Sequence, residues 1–295
     1  MRNSNKNEHN FMIYDQRLIG KKPSDEFVEQ SRARLNAMFK QRFEQREELR
    51  KEQQLLNDVS FNAIRRLAKD DPALAETVKN ARKLSSAHAR QHLHPPKRTT
   101  VQGRARLGSV SVTFVPPFNW GWQWNAQSGQ DASGTTAVDA NAGTMNFTAD
   151  TGDNGKTAST AVAVGSYFQP LADNGIMDIS ANPSLSYYMN TWTVFDSAHA
   201  GGFIGLYVGQ YTLGGEFVQA VVNQQIGLSN VSGGNQGSSS GYPLFASTPV
   251  DSDHFYEIWV WAGGDAEADG WSAFWGSAAL SYANLVVPSI SIFAY

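Results

Sequence analysis

The sequence predicts a multidomain α + β protein, in which an N-terminal helical arm precedes an antiparallel β-sandwich of jelly-roll-like topology. Three observations lead to this prediction. Basic residues concentrate in the first 106 positions, aromatic residues concentrate in the rest, and the hydrophobic period changes from helical spacing to alternation near residue 109. A charged helical pattern followed by many short alternating segments is typical of such an arrangement.

The charge distribution divides the chain into two parts. Residues 1–107 contain 23 of the 24 Lys and Arg residues and 13 acidic residues, so their net charge is about +10. Residues 108–295 contain one basic and 14 acidic residues, so their net charge is about −13, within a total of −3. All eight Trp residues lie in the acidic part, where we expect the hydrophobic core. The absence of Cys excludes disulfides, thiolate metal ligands and thiol nucleophiles.

The first segment, residues 1–23, is polar and Asn-rich, and we expect a flexible tail. It lacks the apolar run of a Sec signal peptide, and no segment of the sequence approaches the roughly 20 apolar residues of a membrane helix. We therefore expect no membrane span, and a protein that is either cytoplasmic or exported by a non-Sec route.

The second segment, residues 24–94, is the charged helical arm. Ser24 follows a proline and precedes two acidic residues, which is the pattern of a helix N-cap and first turn. The following residues up to Leu56 are mostly strong helix formers. Asp71 and Pro72 repeat the start signal, with Asp as the cap and Pro in the first turn, so a second helix is expected there.

Heptad counting indicates how the arm packs. With Val28 as position a of a heptad, position a is apolar in five of six repeats. Position d, which starts at Ser31, is apolar in two of six. A self-sufficient coiled coil needs both positions. We therefore predict that the arm packs against another surface, either the β domain or a neighbouring copy.

The third segment, residues 95–108, is a basic linker that contains Pro95 and Pro96. It continues a longer stretch, 77–130, without an acidic residue. Such a stretch binds either the phosphates of a nucleic acid or an acidic protein surface, and the acidic β domain of the same or a neighbouring chain favours the second interpretation. The basic residues predicted to make these polyanion or self-contacts are Lys79, Arg82, Lys83, Arg90, Lys97, Arg98, Arg104 and Arg106.

The fourth segment, residues 109–295, is the acidic, aromatic-rich β domain. Its strand-like segments are separated by turns rich in Gly and Asn, and no helical pattern of useful length lies between them, which predicts antiparallel pairing. The expected strands are residues 109–115, 118–124, 160–168, 184–194, 202–211, 216–226, 254–262, 271–282 and 284–293.

Alternating aromatic residues single out one strand of this domain. Trp120, Trp122 and Trp124 occupy every second position, and Trp259 and Trp261 repeat the spacing later in the chain. In a strand these indoles share one face, and two interpretations stay open. They are either a platform on which sugar rings stack or part of the hydrophobic core.

One carboxylate lies on the same alternation. Glu257 shares strand parity with Trp259 and Trp261, which makes it a buried acid, a ligand for sugar hydroxyls, or half of a glycosidase pair. We include it with the five indoles as a candidate ligand-binding residue. Its catalytic partner, if it has one, has to be Glu216 or an Asp.

Other motifs do not predict catalysis. Residues 237–241 spell G-x-S-x-G, but they lie in a glycine-rich loop and not between a strand and a helix. Residues 196–199 and 251–254 each collect Asp, Ser and His too closely for a triad, and we interpret them as turns before strands. The three His residues at 88, 92 and 94 lack a carboxylate nearby, and we predict no metal site and no cofactor.

These patterns favour a non-enzymatic binding or assembly protein. In this hypothesis the basic helical arm mediates self-association or docking, the chain forms a homo-oligomer, and the β-sandwich presents a recognition surface for glycan. Two alternatives stay open. One is a capsid-like or nucleic-acid-packaging protein that uses the basic arm, and the other is a carbohydrate-active hydrolase that uses Glu257.

Overall fold

The structure, a computed structural model, describes most of the helical arm and of the β domain. The described residues are 24–71, 73, 76, 110–129, 131–152, 156–170, 175–194, 198–231, 235–239, 241–268 and 276–294. The predicted tail, the basic linker and all eight of the predicted polyanion-binding residues lie outside them.

One long helix, α1 (Asp25–Asp70), forms the arm. It begins at the predicted cap, because the backbone N–H of Phe27 donates to Ser24 Oγ at 3.2 Å. The helix runs well past Leu56 to Asp70, since the residues between these two include neither Gly nor Pro. Just after α1 the N–H of Ala73 donates to Asp71 Oδ1 at 2.9 Å, which is the N-cap contact predicted for the start of a second helix. Most of that predicted helix lies outside the described residues.

The β domain consists of antiparallel strands, and its class is the predicted β-sandwich. The described strands are β1 (Val110–Phe114), β2 (Trp120–Ser128), β3 (Ala132–Asp139), β4 (Thr144–Thr151), β5 (Lys156–Phe168), β6 (Gly175–Ala181), β7 (Ser184–Val194), β8 (Ala198–Thr212), β9 (Phe217–Val231), β10 (Asn235–Ser239), β11 (Leu244–Val250), β12 (His254–Ala268), β13 (Gly276–Val286) and β14 (Ile290–Ala294).

Five of these strands, β3, β4, β6, β10 and β11, were not expected from the sequence. β3 and β10 are rich in Ala, Ser, Thr and Gly, so their periodic signal is weak. β4, β6 and β11 are only seven or eight residues long and carry two or three large apolar side chains each. The expected break after Tyr282 is also wrong, since β13 continues to Val286 and the chain turns just before β14. Phe118 lies before β2 and packs in a different cluster from the indoles that follow it.

The strands form three sheets. The helix-facing sheet has the order β2-β5-β12-β8-β9, the opposite sheet has the order β10-β7-β13-β4-β3, and a smaller end sheet has the order β1-β14-β6-β11. One hydrophobic cluster joins all three, with Ile258 from the first sheet, Phe147 from the second and Ile292 from the third. The helix-facing and opposite sheets thus form a sandwich, and the end sheet closes part of its core.

The central strands of the helix-facing sheet are buried on both faces. In β12, Ile258 and Val260 point into the sandwich core, whereas Glu257, Trp259 and Trp261 point away from it toward α1. β5 and β8 are likewise buried almost without interruption. A strand buried on both faces needs a second layer, and α1 provides it.

Small residues in this sheet make room for the indole rings. Gly165 lies between Trp120 and Trp259 in the strand register, and Gly205 lies beside Trp261. A Cβ atom on Gly165 would lie 3.1 Å from the Trp259 ring, and one on Gly205 would lie 2.7 Å from Trp261 Nε1. Glycine at these two positions therefore allows large rings to lie close to the sheet.

Candidate functional site

α1 covers the aromatic face of the helix-facing sheet. Phe27, Ser31, Leu35 and Phe39 recur every fourth residue along the helix, and all four are buried. This spacing keeps them on one side of a helix, facing the sheet. Ser31 and Leu35 also lie at the two positions of the heptad counted from Val28, but Phe27 and Phe39 do not, so the heptad count identified only part of this seam.

Phe39 lies at the centre of this contact. The centroid of its ring is 5.2 Å from that of Trp122, 5.5 Å from Trp124, 5.5 Å from Trp261 and 6.3 Å from Phe203. Such a cluster buries a large apolar area and adds favourable edge and stacked ring contacts. α1 is therefore docked on the β domain, one of the two surfaces that the sequence left open.

The predicted sugar platform lies largely under α1. Trp120, Trp122, Trp259 and Trp261 are each 4 % exposed or less, so a sugar ring cannot stack on them while the helix is docked. Trp124, at the outer end of the row, is only partly buried. The ligand-binding role of these residues stays a prediction. Among the five indoles, only Trp124 is exposed enough for a ligand to reach it directly.

Glu257 is enclosed in the same contact. Its side chain is 0 % exposed. Its Oε2 atom accepts a short hydrogen bond from the Ser31 hydroxyl of α1 and a second one, of 2.9 Å, from the Tyr211 hydroxyl of β8. Its Oε1 atom forms no hydrogen bond of ordinary geometry among the described residues, although the Trp259 indole N–H lies near enough to favour the charged form, and the Trp120 indole N–H has no partner among them.

Burial dominates the electrostatics around Glu257. It raises the pKa of the Glu257 carboxyl to about 7 because the charged form loses its hydration, and neighbouring polar groups limit the rise. Burial also raises the pKa of Tyr207 to about 12, and it raises that of Tyr211 further, with the Glu257 charge as the second cause in both. Both phenols are therefore neutral at physiological pH.

This arrangement does not provide a glycosidase pair. Glycoside hydrolysis needs two carboxyl groups on either side of a bound sugar. The described groups that interact with Glu257 are hydroxyls, an indole and the Arg34 guanidinium, and Glu216 lies exposed in the turn before β9. α1 also closes the space where a substrate would have to enter. The hydrolase alternative therefore has no support in this geometry.

A charged cluster lies at the other end of the contact. The Arg46 guanidinium is 2.5 Å from Asp265 Oδ2 and 3.1 Å from Glu267 Oε1, both on β12. Arg42 donates to Gln225 Oε1 of β9 at 2.7 Å. The basic arm thus meets the acidic domain through its helix, and partly buried pairs of this kind add modestly to the docking.

An open cleft lies where α1 passes the edge of the sandwich. Its volume is about 470 Å³, within the usual range for small-molecule sites. The Trp122 indole N–H donates to Asn36 Oδ1 at 2.9 Å, which fixes the Asn36 amide on the helix. The residues that line the cleft are Asn36, Ala37 and Lys40 of α1, Gln123, Trp124 and Asn125 of β2, and Thr136 of β3.

The sequence analysis found Trp124 but missed most of this cleft. Asn36 and Lys40 lie on a helix almost ninety positions before Trp124, and Thr136 lies on a strand that was not expected. Their meeting depends on how α1 docks, which no local pattern specifies. The spacing of four from Phe27 to Phe39 was the signal that could have placed α1 on the indoles.

The remaining motifs have structural explanations where they are described. Asp251 Oδ1 accepts hydrogen bonds from the Asp253 N–H at 3.1 Å and lies 2.5 Å from His254 Nδ1, which forms the predicted turn before β12. Residues 237–239 belong to β10, so no strand-to-helix elbow surrounds Ser239. Residues 195–197 and the three His residues of the arm lie outside the described part of the chain.

The described residues also contain no group of three or more His, Asp or Glu side chains placed to bind a metal ion. α1 is long but rich in charge, and no described helix has the apolar length of a membrane span. The nucleic-acid alternative depends on basic residues outside the described part, so it stays a prediction, as does self-association through the arm.

No protein-family model matches the sequence, and no curated protein matches it. The structure of TmCBM61 in complex with β-1,4-galactotriose is similar, with an alignment that covers 59 % of this chain and 87 % of the TmCBM61 chain, at 6 % identity and a TM-score of 0.19. The family 11 carbohydrate-binding module from Clostridium thermocellum, in complex with a β-1,3-1,4-mixed-linked tetrasaccharide, aligns over 56 % of this chain and 88 % of the module, at 12 % identity and a TM-score of 0.15. The structure of infectious bursal disease virus, Gx strain, aligns over 68 % of this chain and 40 % of the viral chain, at 12 % identity and a TM-score of 0.17. Likenesses this distant do not bear on function.

Proposed function

We propose that the chain is a non-enzymatic glycan-binding protein whose binding site is the cleft around Trp124. One observation carries this proposal: a partly exposed indole lies in an open cleft bordered by amide, hydroxyl and ammonium groups. An indole offers an apolar face to the C–H groups of a sugar ring. Side-chain amides both donate and accept hydrogen bonds, as paired sugar hydroxyls require.

The cleft provides these groups from both of its walls. Asn36 and Lys40 lie on α1, whereas Gln123, Asn125 and Thr136 lie on the edge strands. The described residues that line it include no carboxylate and no imidazole, which are the usual acids and bases of sugar hydrolysis. The chemistry of the cleft therefore supports binding rather than cleavage.

The helical arm acquires a definite role in this proposal. α1 is held on the sheet by Phe39 and its neighbours, and it supplies one wall of the cleft. Docking of the arm and recognition of the ligand are thus parts of one arrangement. A cleft that is formed between elements and not within a single loop is a common kind of ligand site.

Replacing Trp124 with Ala is expected to abolish most glycan binding while the protein stays folded. Losing an aromatic anchor from a binding site costs about 2 kcal/mol or more, which weakens affinity roughly thirtyfold. Binding of a panel of immobilised oligosaccharides by the wild type and the variant measures the effect. Circular dichroism of both proteins verifies that the variant is folded.

Phe245→Ala is the matched control, since Phe245 is an exposed aromatic residue of β11 outside the cleft. It is expected to bind the same oligosaccharides as the wild type. Loss of binding in both variants, or retention of full affinity by Trp124→Ala, contradicts the placement of the site. Failure of the wild type to bind any oligosaccharide in the panel contradicts the proposed function.

A further inference from the structure

A fully buried carboxylate joins α1 to the sheet. Glu257 accepts hydrogen bonds from Ser31 on one side and Tyr211 on the other, and the two hydroxyl oxygens lie 3.2 Å apart. These three side chains form a polar centre in an otherwise aromatic contact. A buried carboxyl group with one oxygen that lacks a hydrogen bond of ordinary geometry is costly, and its cost depends strongly on its charge.

The groups that face Glu257 leave its charge weakly balanced. α1 contributes the Ser31 hydroxyl and the Arg34 guanidinium, which lies 3.4 Å from Tyr211 Oη and not on the carboxylate itself. β8 contributes the phenols of Tyr207 and Tyr211, and β5 places Tyr167 opposite Glu257 in the register. The pKa of each of these phenols is raised, first by burial, so they stay neutral.

We propose that Glu257 is a protonation latch, which holds α1 firmly on the aromatic face when it is neutral and loosens α1 when it is ionised. Because α1 forms one wall of the Trp124 cleft, the latch also controls whether that cleft exists. This last step rests on the proposed function, whereas the latch itself does not.

The sign of the effect follows from linkage. Burial raises the pKa of Glu257 from its ordinary 4.5 to about 7 in the docked state, and release of α1, which exposes the carboxyl, lowers it toward 4.5, so the docked state binds more protons than the released state between these values. The stability that docking gains from this group is fully present below pH 4.5, and it falls as pH rises to about 7, where it levels off. From about pH 6 to about pH 9, the equilibrium for releasing α1 is expected to rise roughly tenfold.

Amide hydrogen exchange of the full-length protein tests the latch. Protection factors of α1 residues, corrected for the pH dependence of intrinsic exchange, are expected to fall about tenfold between about pH 6 and about pH 9. Glu257→Gln keeps the size and most hydrogen bonding of the side chain but cannot ionise. Its α1 protection is expected to vary less than about twofold over the same range.

Glu267→Gln is the matched control, because Glu267 lies on the same face of β12 and pairs with Arg46 of α1. It is expected to lower α1 protection at every pH while keeping the tenfold fall. A pH-independent wild type, or a Glu257→Gln variant that keeps the wild-type fall, overturns the latch. If Glu257→Gln does not fold, the ¹³C signal of the Glu257 carboxyl decides: a midpoint that does not coincide with the fall in α1 protection also overturns it.

A second experiment separates the latch from the proposed function. An oligosaccharide that occupies the cleft binds only docked α1, so adding it is expected to raise α1 protection at both pH values. A pH-dependent fall without any effect of oligosaccharide supports the latch and contradicts the Trp124 site. Protection by oligosaccharide without a pH-dependent fall supports the site and contradicts the latch.

Discussion

Replacing Trp259 with Ala is expected to lower the free energy of unfolding by about 3–5 kcal/mol. Its ring lies against Gly165 of the neighbouring strand, contacts Trp120 at a centroid distance of 5.7 Å, and is covered by α1. The cavity that the indole leaves is bounded by the backbone of Gly165 and by α1, so we expect it to stay largely unfilled. Chemical denaturation followed by circular dichroism measures the change.

The control for this prediction is Phe245→Ala, because Phe245 is 57 % exposed on the end sheet. Its effect on the free energy of unfolding is expected to stay within about 1 kcal/mol. A Trp259→Ala variant as stable as this control contradicts the burial of the indole. It also restores the interpretation of Trp259 as part of an open platform.

Replacing Phe39 with Ala is expected to release α1 from the sheet more than any other single change in the helix. Phe39 fills the space between indoles of two different strands, and removing such a ring costs about 3–5 kcal/mol. This cost falls on docking, so the hydrogen exchange of α1 is expected to accelerate at least a hundredfold. Binding of a hydrophobic dye to the uncovered indoles provides a second measurement.

Leu49→Ala is the control for Phe39→Ala, since Leu49 lies on the same helix but is 66 % exposed. Its α1 exchange is expected to stay within about threefold of the wild type. Unchanged exchange in the Phe39→Ala variant contradicts the docking of α1 on the aromatic face. Equal acceleration in both variants means that the helix is sensitive to any substitution and that Phe39 has no special role.

Local patterns predicted the architecture because they follow from short-range physics. The alternation of Trp120, Trp122 and Trp124 placed three indoles on one strand face, and the cap at Ser24 marked the start of the helix. The narrow apolar stripe correctly indicated that the arm packs on another surface. Strands such as β3 and β10 were missed because small polar side chains carry little periodic signal.

The candidate site was predictable only in part, because docking and not local sequence assembles it. Trp124 was identified from its alternation, but its exposure could not be told from that of Trp122, two residues earlier. The difference arises because Phe39 and Leu35 of α1 cover one indole fully and the other partly. Similarly, the sequence marked Glu257 as notable, but Ser31 and Tyr211, which determine its chemistry, lie on other elements.

The indole N–H signals of the tryptophans, recorded by NMR during titration with a bound oligosaccharide, test the central claim most directly. The Trp124 signal, assigned from its absence in Trp124→Phe, is expected to shift progressively, because the ligand contacts that ring. The signals of Trp120 and Trp259 are expected to stay in place beneath α1. A titration in which the buried indoles shift while Trp124 does not contradicts the account and places the ligand on the face that α1 covers.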